Sequence, residues 1–193
     1  MLPLPSSSFP TWAQQSCDPQ AAQQIASKFQ LSAAAARVLS SRGYLADDIC
    51  ERFLNPVLAG IQDPFSLDGL EAGVARTLKA IESGEQILIF GDYDVDGISS
   101  TAIMRQTLEF LGHEPAVFLP DRLADGYGMH AHQIQQFADA GIGLIITVDT
   151  GVSAIAAIEK ANHLGFDVVV TDHHLAGGPL PNAAAVIDPN AQS

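Results

Sequence analysis

The chain reads as an α/β protein: a doubly wound, mainly parallel sheet with helices on both faces, preceded by a small helical lead-in. Two observations predict this. From residue 86 onward, short runs rich in Ile and Val, such as Ile87-Leu88-Ile89-Phe90 and Val168-Val169-Val170, alternate with longer amphipathic segments. Unbroken apolar runs suit strands covered on both faces, and helices between them suit parallel crossovers. Before Pro56 the apolar spacing is helical and interrupted only by short turns.

The elements follow in order. Residues 1–16 are rich in Pro and Ser and read as loose. Asp18 is placed to cap a helix carrying Ala21, Ala22, Ile25 and Phe29. Ser32 is placed to cap a second, Ala33–Ser41, stopped by Gly43, and a third covers Ala46–Leu54 before Pro56. Asp68 is the expected cap of an amphipathic helix through Leu70, Val74, Leu78 and Ile81, ended by Gly84. Strands are predicted at 86–91, 115–119, 143–148, 167–171 and 184–187, with helices at about 98–111, 130–140 and 152–164. The domain boundary implied by this change of pattern lies between residues 66 and 67.

Composition narrows the function. The 193 residues carry 22 acids against 9 Lys and Arg, a formal net charge of -13. A protein that grips nucleic acid by bulk positive charge is therefore disfavoured, whereas a site neutralised by bound cations is not. Two cysteines, Cys17 and Cys50, without metal-type spacing fit a reduced, cytoplasmic setting. No stretch is long and apolar enough to cross a bilayer.

The chemistry concentrates at predicted strand ends. Gly91-Asp92-Tyr93-Asp94-Val95-Asp96-Gly97 follows the first strand, Asp149 the third, and Asp172-His173-His174 the fourth. In an open parallel sheet the carboxyl ends of the strands face the ligand, so the three clusters are expected to converge. One aspartate suffices to cap the helix that follows the first cluster, and three exceed that need. Crowded carboxylates are costly unless a cation holds them, and Mg²⁺, Ca²⁺ and Mn²⁺ favour carboxylate oxygens. An EF-hand is excluded, because its twelfth position counted from Asp92 is Ile103. The paired histidines suit a metal ligand beside a group that meets substrate or water. His113, His130, His132 and His163 are expected at the surface. Arg122 and Gly126-Tyr127-Gly128 form a phosphate clamp in prospect: the arginine for a bidentate contact, Tyr127 for base stacking, the glycines for close backbone approach.

At these residues the sequence resembles the DHH phosphoesterase superfamily, and within it the single-strand-specific 5′→3′ exonuclease branch. The likeness runs from about Ser41 to Asn190 and includes Ser41-Arg42-Gly43, Phe53-Leu54-Asn55-Pro56, Asp63-Pro64, Gly91–Gly97, Arg122-x-x-x-Gly126-Tyr127-Gly128, Thr147–Gly151 and Thr171–His174. The resemblance implies a metal-dependent phosphodiesterase of DNA recombination and repair, with two Mn²⁺ or Mg²⁺ ions. It implies metal contacts from Asp94, Asp96, Asp149 as the bridge, and His173, with Asp92 supporting or adding a ligand. His174 would face the scissile phosphate, and Arg122 with Gly126, Tyr127 and Gly128 would lie along the substrate backbone. The implied partner is single-stranded DNA, met by a monomer, with a single-strand-binding protein or a helicase alongside. A phosphatase of oligonucleotides or cyclic dinucleotides, and a non-catalytic scaffold, are the rival readings.

Three departures accompany the likeness. Phe90 stands where pyrophosphatase relatives carry a histidine, which favours the nuclease branch. Asp188 occupies a position where the branch usually has asparagine. A further aspartate ligand and a substrate-clamping second domain of the family have no counterpart here, so residues 67–193 are expected to form a catalytic domain incomplete at its carboxyl end. Residues 1–193 are accordingly expected to bind Mn²⁺ and to hydrolyse single-stranded DNA poorly or not at all.

Overall fold

The computed structural model describes residue 13 and residues 15–191; the loose segment expected over 1–16 falls mostly outside them. The chain divides into two compact units, one ending at Gln62 and one starting at Asp63, a little before the boundary expected from the pattern.

The first unit contains α1 (Pro19–Phe29), α2 (Ala33–Ser41) and α3 (Asp48–Leu54). Two starts follow the expected chemistry: the Asp18 side chain accepts from the Gln20 N–H, and Ser32 Oγ accepts from the Ala35 N–H. Asp47, not an expected cap, holds two N–H groups of α3 and delays its start to Asp48. Ile25, Ala36, Leu39 and Cys50 close a small core. Cys50 is buried and Cys17 half-buried, and both are free thiols.

The second unit contains α4 (Leu70–Ser83), β1 (Gln86–Gly91), α5 (Val95–Phe110), β2 (Ala116–Phe118), α6 (Ala131–Asp139), β3 (Ile142–Val148), α7 (Ile155–Leu164), β4 (Asp167–Thr171) and β5 (Ala185–Ile187). All pairings are parallel and the strand order is β2-β1-β3-β4-β5. Alternate residues of each strand fill opposite cores. Leu88, Phe90, Ile145, Val168 and Val170 pack with Ile134, Phe137 and Ile158 under α6 and α7. Ile87, Ile89, Leu144, Ile146 and Val169 pack with Ala80 and Leu108 under α4 and α5. The expected doubly wound fold is therefore present, with both faces of the sheet covered. Among the described residues no helix is long and apolar enough to cross a membrane.

Three local expectations are corrected. Asp68 does not cap α4; Gly69 takes that place with φ 78°, and no side chain bonds the helix start. A Cβ at Gly69 would stand 2.3 Å from the Val186 carbonyl oxygen, so the chain enters α4 by a left-handed glycine that slips past β5. Helix α5 starts at Val95 rather than about 98, because Asp94 caps it. Helix α7 starts at Ile155 rather than 152, because the Val152 N–H is taken by Asp172 Oδ2 at 2.9 Å.

Arg76 on α4 ties the amino ends of two strands. Its Nε donates to Asp167 Oδ2 and its Nη2 to Glu85 Oε2, each at 2.6 Å. Burial alone would lower the arginine pKa, but the two carboxylates reverse this and raise it. The same contact holds Glu85 below its ordinary value, against the opposing pull of burial. A depressed carboxylate contributes stability above its unfolded value and loses it as pH falls through the folded one. Arg76→Met is therefore expected to cost about 1–2 kcal/mol at neutral pH, held down by the exposure of Asp167. The cost should shrink below about pH 4.5, as read from urea melts across the acid range.

Candidate metal centre

The strand order reverses direction between β1 and β3, so the crevice of the fold opens at their carboxyl ends. Asp92 and Asp94 follow β1, and Asp149 follows β3. A carboxylate oxygen from each lies within 4.8 Å of the others. A second group of the same kind joins Asp149 with His173 and His174. Asp149 belongs to both and stands at the meeting point.

Local geometry explains how the first cluster is built. After β1 the chain turns sharply into α5, and Gly97 sits directly on the Asp92 backbone; a Cβ there would lie 2.4 Å from the Asp92 carbonyl oxygen. Asp94 Oδ1 accepts from the Asp96 and Gly97 N–H groups at 2.9 and 3.0 Å. Asp94 is thus the helix cap that the plainer interpretation of the motif asked for, and also a member of the acid cluster. Those N–H groups, the Gly97 one first, hold its carboxyl below the usual value. Asp96 is exposed and belongs to neither close group. It lines an adjoining cleft of about 360 Å³ with Asp149, Asp172, His173, Ser99 and Ser100.

Asp92 and Asp149 are 2% and 7% exposed. Asp92 Oδ1 and Asp149 Oδ2 are buried with no hydrogen-bond partner among the described residues. Burial, and then the Asp94 charge, push the Asp92 carboxyl up; Asp149 is raised chiefly by burial, with Asp94 adding to it and His173 opposing. Asp149 also has φ 61°, in the left-handed region that Asp tolerates better than most side chains. Orphaned buried carboxylate oxygens beside a third acid form a donor set that fits a hard divalent cation.

Asp172 organises the other half. It is 8% exposed. Oδ1 accepts from the His173 N–H at 2.7 Å, the His174 N–H at 3.1 Å and His174 Nδ1 at 2.7 Å, while Oδ2 accepts from the Val152 N–H. Burial would raise its pKa, but these hydrogen bonds outweigh it and the net direction is down. The Asp172 contact in turn raises His174, partly opposed by burial. His173 Nε2 lies 2.8 Å from Asp149 Oδ1, and the His173 carbonyl accepts from Asn190 Nδ2. Asp188 is buried with Oδ1 on the Asn190 N–H, so it shapes the turn that supports His173. The motif's residue types mark the histidines, whereas the orienting role of Asp172 resides in its hydrogen bonds.

The Arg122 loop reaches the same edge. Tyr127 OH lies 3.4 Å from both ring nitrogens of His174. Burial, then Asp172 and Asp92, push the Tyr127 hydroxyl up to about 12, so it stays protonated. Gly126 and Gly128 both have positive φ, 78° and 83°, a backbone conformation that by itself favours glycine. The remaining histidines divide. His132 and His163 are exposed, whereas His130 is half-buried with its N–H on Gln133 Oε1, and His113 carries a buried Nε2.

Comparison with known proteins places this geometry in context. The single-stranded-DNA-specific exonuclease RecJ of Bacillus subtilis is 35% identical over 178 residues, covering 92% of this chain and 23% of that protein. The enzyme of the same name from Escherichia coli is 39% identical over 155 residues, covering 80% and 26%. The chain therefore spans about a quarter of the length of the curated relatives it matches. The crystal structure of an exonuclease RecJ bound to manganese superposes with a TM-score of 0.64 at 32% identity, over 68% of this chain and 34% of that one. RecJ in complex with Mn²⁺ from Thermus thermophilus gives 0.62 at 27% identity, over 88% and 23%. Residues 86–193, which hold every acid and histidine of the centre described above, match the N-terminal domain of the DHH family, and the chain belongs to that family.

Proposed function

We propose that this chain is the metal-binding part of a phosphodiesterase that removes nucleotides from the 5′ end of single-stranded DNA. The observation that carries the reading is the meeting of Asp92, Asp94 and Asp149 at the β1/β3 crevice, beside His173 and His174. The likeness to RecJ exonucleases supplies the substrate class. Asp94, Asp149, His173 and Asp92 would hold the first ion, and Asp96 would extend the site into the adjoining cleft towards a second. Mn²⁺ is favoured over Mg²⁺ because an imidazole joins the oxygen donors.

A divalent ion held there supplies Lewis-acid polarisation and a more acidic water for attack on phosphorus. The chain's own residues supply orientation and proton control. Asp172 accepts the Nδ1 proton of His174 and so turns Nε2 outward to meet a phosphate oxygen. The raised His174 pKa keeps that imidazole a proton donor over a wider pH range. Arg122 and Tyr127 approach from the opposite loop and would bind the phosphate backbone and a base. Single-stranded DNA as substrate and a monomeric state complete the reading, with a single-strand-binding protein or a helicase as the protein partner.

Metal linkage gives the first test. Mn²⁺ binding only the folded state raises Tm by mass action. Asp149→Asn is expected to abolish most of that rise, because Asp149 belongs to both close groups; an undiminished Mn²⁺ response would overturn the metal centre.

Asp94 separates capping from charge. Asp94→Asn keeps a capping oxygen and is expected to match the wild-type Tm in chelator while losing much of the Mn²⁺ response. Asp94→Ala loses both, with Tm in chelator falling by roughly 2–4 °C. Equal melting of the two variants in chelator would refute the capping role.

Activity is read on an oligonucleotide labelled at its 3′ end. Slow trimming from the 5′ end is expected from residues 1–193, dependent on Mn²⁺ and lost in Asp149→Asn. Internal cuts, preference for duplex, or trimming that survives Asp149→Asn would rule out the proposed reaction.

A further inference from the structure

We infer that Tyr93 is a positioning residue: its ring seats the Arg122 guanidinium and braces Tyr127 against His174, so that the anion-binding and proton-donating groups form one unit. Four contacts carry the inference. Arg122 Cζ lies 5.3 Å from the centroid of the Tyr93 ring. Tyr93 and Tyr127 meet edge to face, with centroids 6.4 Å apart and planes at 78°. Tyr127 meets His174 in the same manner, at 5.9 Å and 76°. The Tyr127 hydroxyl lies 3.4 Å from each nitrogen of that imidazole. The chain Arg122–Tyr93–Tyr127–His174 is therefore continuous.

Sequence position gives Tyr93 its leverage. It sits between Asp92 and Asp94, so its backbone is fixed by the same turn that builds the acid cluster. At this turn the Tyr93 ring meets Arg122 and Tyr127, whereas the carboxylates on either side of it group with Asp149. The ring is half-buried, while Arg122 is exposed. An exposed arginine loses rotamer freedom when it binds a phosphate. An aromatic ring beside the guanidinium removes part of that freedom in advance and uses none of its hydrogen-bonding capacity for a bidentate contact. The attraction comes from the ring face, not from the hydroxyl, so phenylalanine should serve as well.

This inference rests on the phosphodiesterase reading for its substrate, and two measurements keep the two apart. The first needs no substrate. A guanidinium over an aromatic face feels its ring current, so the Arg122 Nε–H resonance of the intact chain should shift in Tyr93→Leu and stay near the wild-type position in Tyr93→Phe. A resonance unmoved by Tyr93→Leu overturns the inference, whether or not the protein cleaves DNA.

The second measures kinetics on a single-stranded oligonucleotide in Mn²⁺. Tyr93→Leu is expected to raise KM roughly fivefold, with kcat reduced less. Tyr93→Phe should return KM to within about twofold of wild type. In an Arg122→Ala background, Tyr93→Leu should raise KM by less than it does in the wild type, because only the bracing of Tyr127 is left to lose. Additive effects, or a Tyr93→Phe as impaired as Tyr93→Leu, would overturn the positioning role. An unchanged Mn²⁺ melting response in Tyr93→Leu shows that the metal centre and fold are intact in that variant.

Discussion

Crowding of negative charge at the β1/β3 crevice is the constraint on which the rest of the second unit turns. Asp92 and Asp149 are almost wholly buried, and each leaves an oxygen without a hydrogen-bond partner among the described residues. Asp94 adds a third carboxylate within 4.8 Å. The pKa values of Asp92 and Asp149 are both raised chiefly by burial, and their ionised forms therefore raise the free energy of the fold. The apolar sheet below supplies the opposing stabilisation. Ile87, Ile89, Leu144, Ile146, Val168 and Val170 are each at most 1% exposed, and burial of such a side chain contributes about 1.5–3 kcal/mol. The core thus holds in place an arrangement that its own polar groups resist, a common condition of functional sites.

Asp172 solves a different problem at the same edge. Its two oxygens receive four protein contacts, from Val152, His173 and His174. A carboxylate so well satisfied stays ionised despite burial. Its charge orients an imidazole, whereas Asp92 and Asp149 each keep a buried oxygen without a partner among the described residues, as the proposed cation site requires. Adjacent strand ends therefore carry buried aspartates with opposite hydrogen-bonding states and opposite pKa directions. The division of labour follows from hydrogen bonding rather than from residue type.

The acidic balance of the chain bears on how DNA would be held. With 22 acids against 9 Lys and Arg, bulk attraction to phosphate is absent from this part of the molecule. Affinity from these residues would come from the metal centre, from the seated Arg122, and from stacking on Tyr127. Each of these is short-ranged and depends on position. That places weight on the contacts that fix geometry, among them the Tyr93 ring and the Asn190 bond to the His173 carbonyl.

Much of this was legible in the residues alone. Apolar runs and their separations marked all five strands, because a strand buried on both faces needs an unbroken apolar segment. The clusters Asp92–Asp96, Asp149 and Asp172–His174 stood out because strand-end position and residue type agreed. Tertiary structure decided what spacing does not encode. It brought Asp149 to Asp94 by pairing β1 with β3, left Asp96 facing the neighbouring cleft, and made Asp94 a cap as well as a member of the acid cluster. It replaced the Asp68 cap by Gly69, because only the passage beside Val186 shows that a side chain does not fit there. Residue types and their order along the chain determined which groups stand at strand ends. Which of those groups share a proton, a cation or an aromatic face depends on through-space distances that exist only once the sheet is assembled.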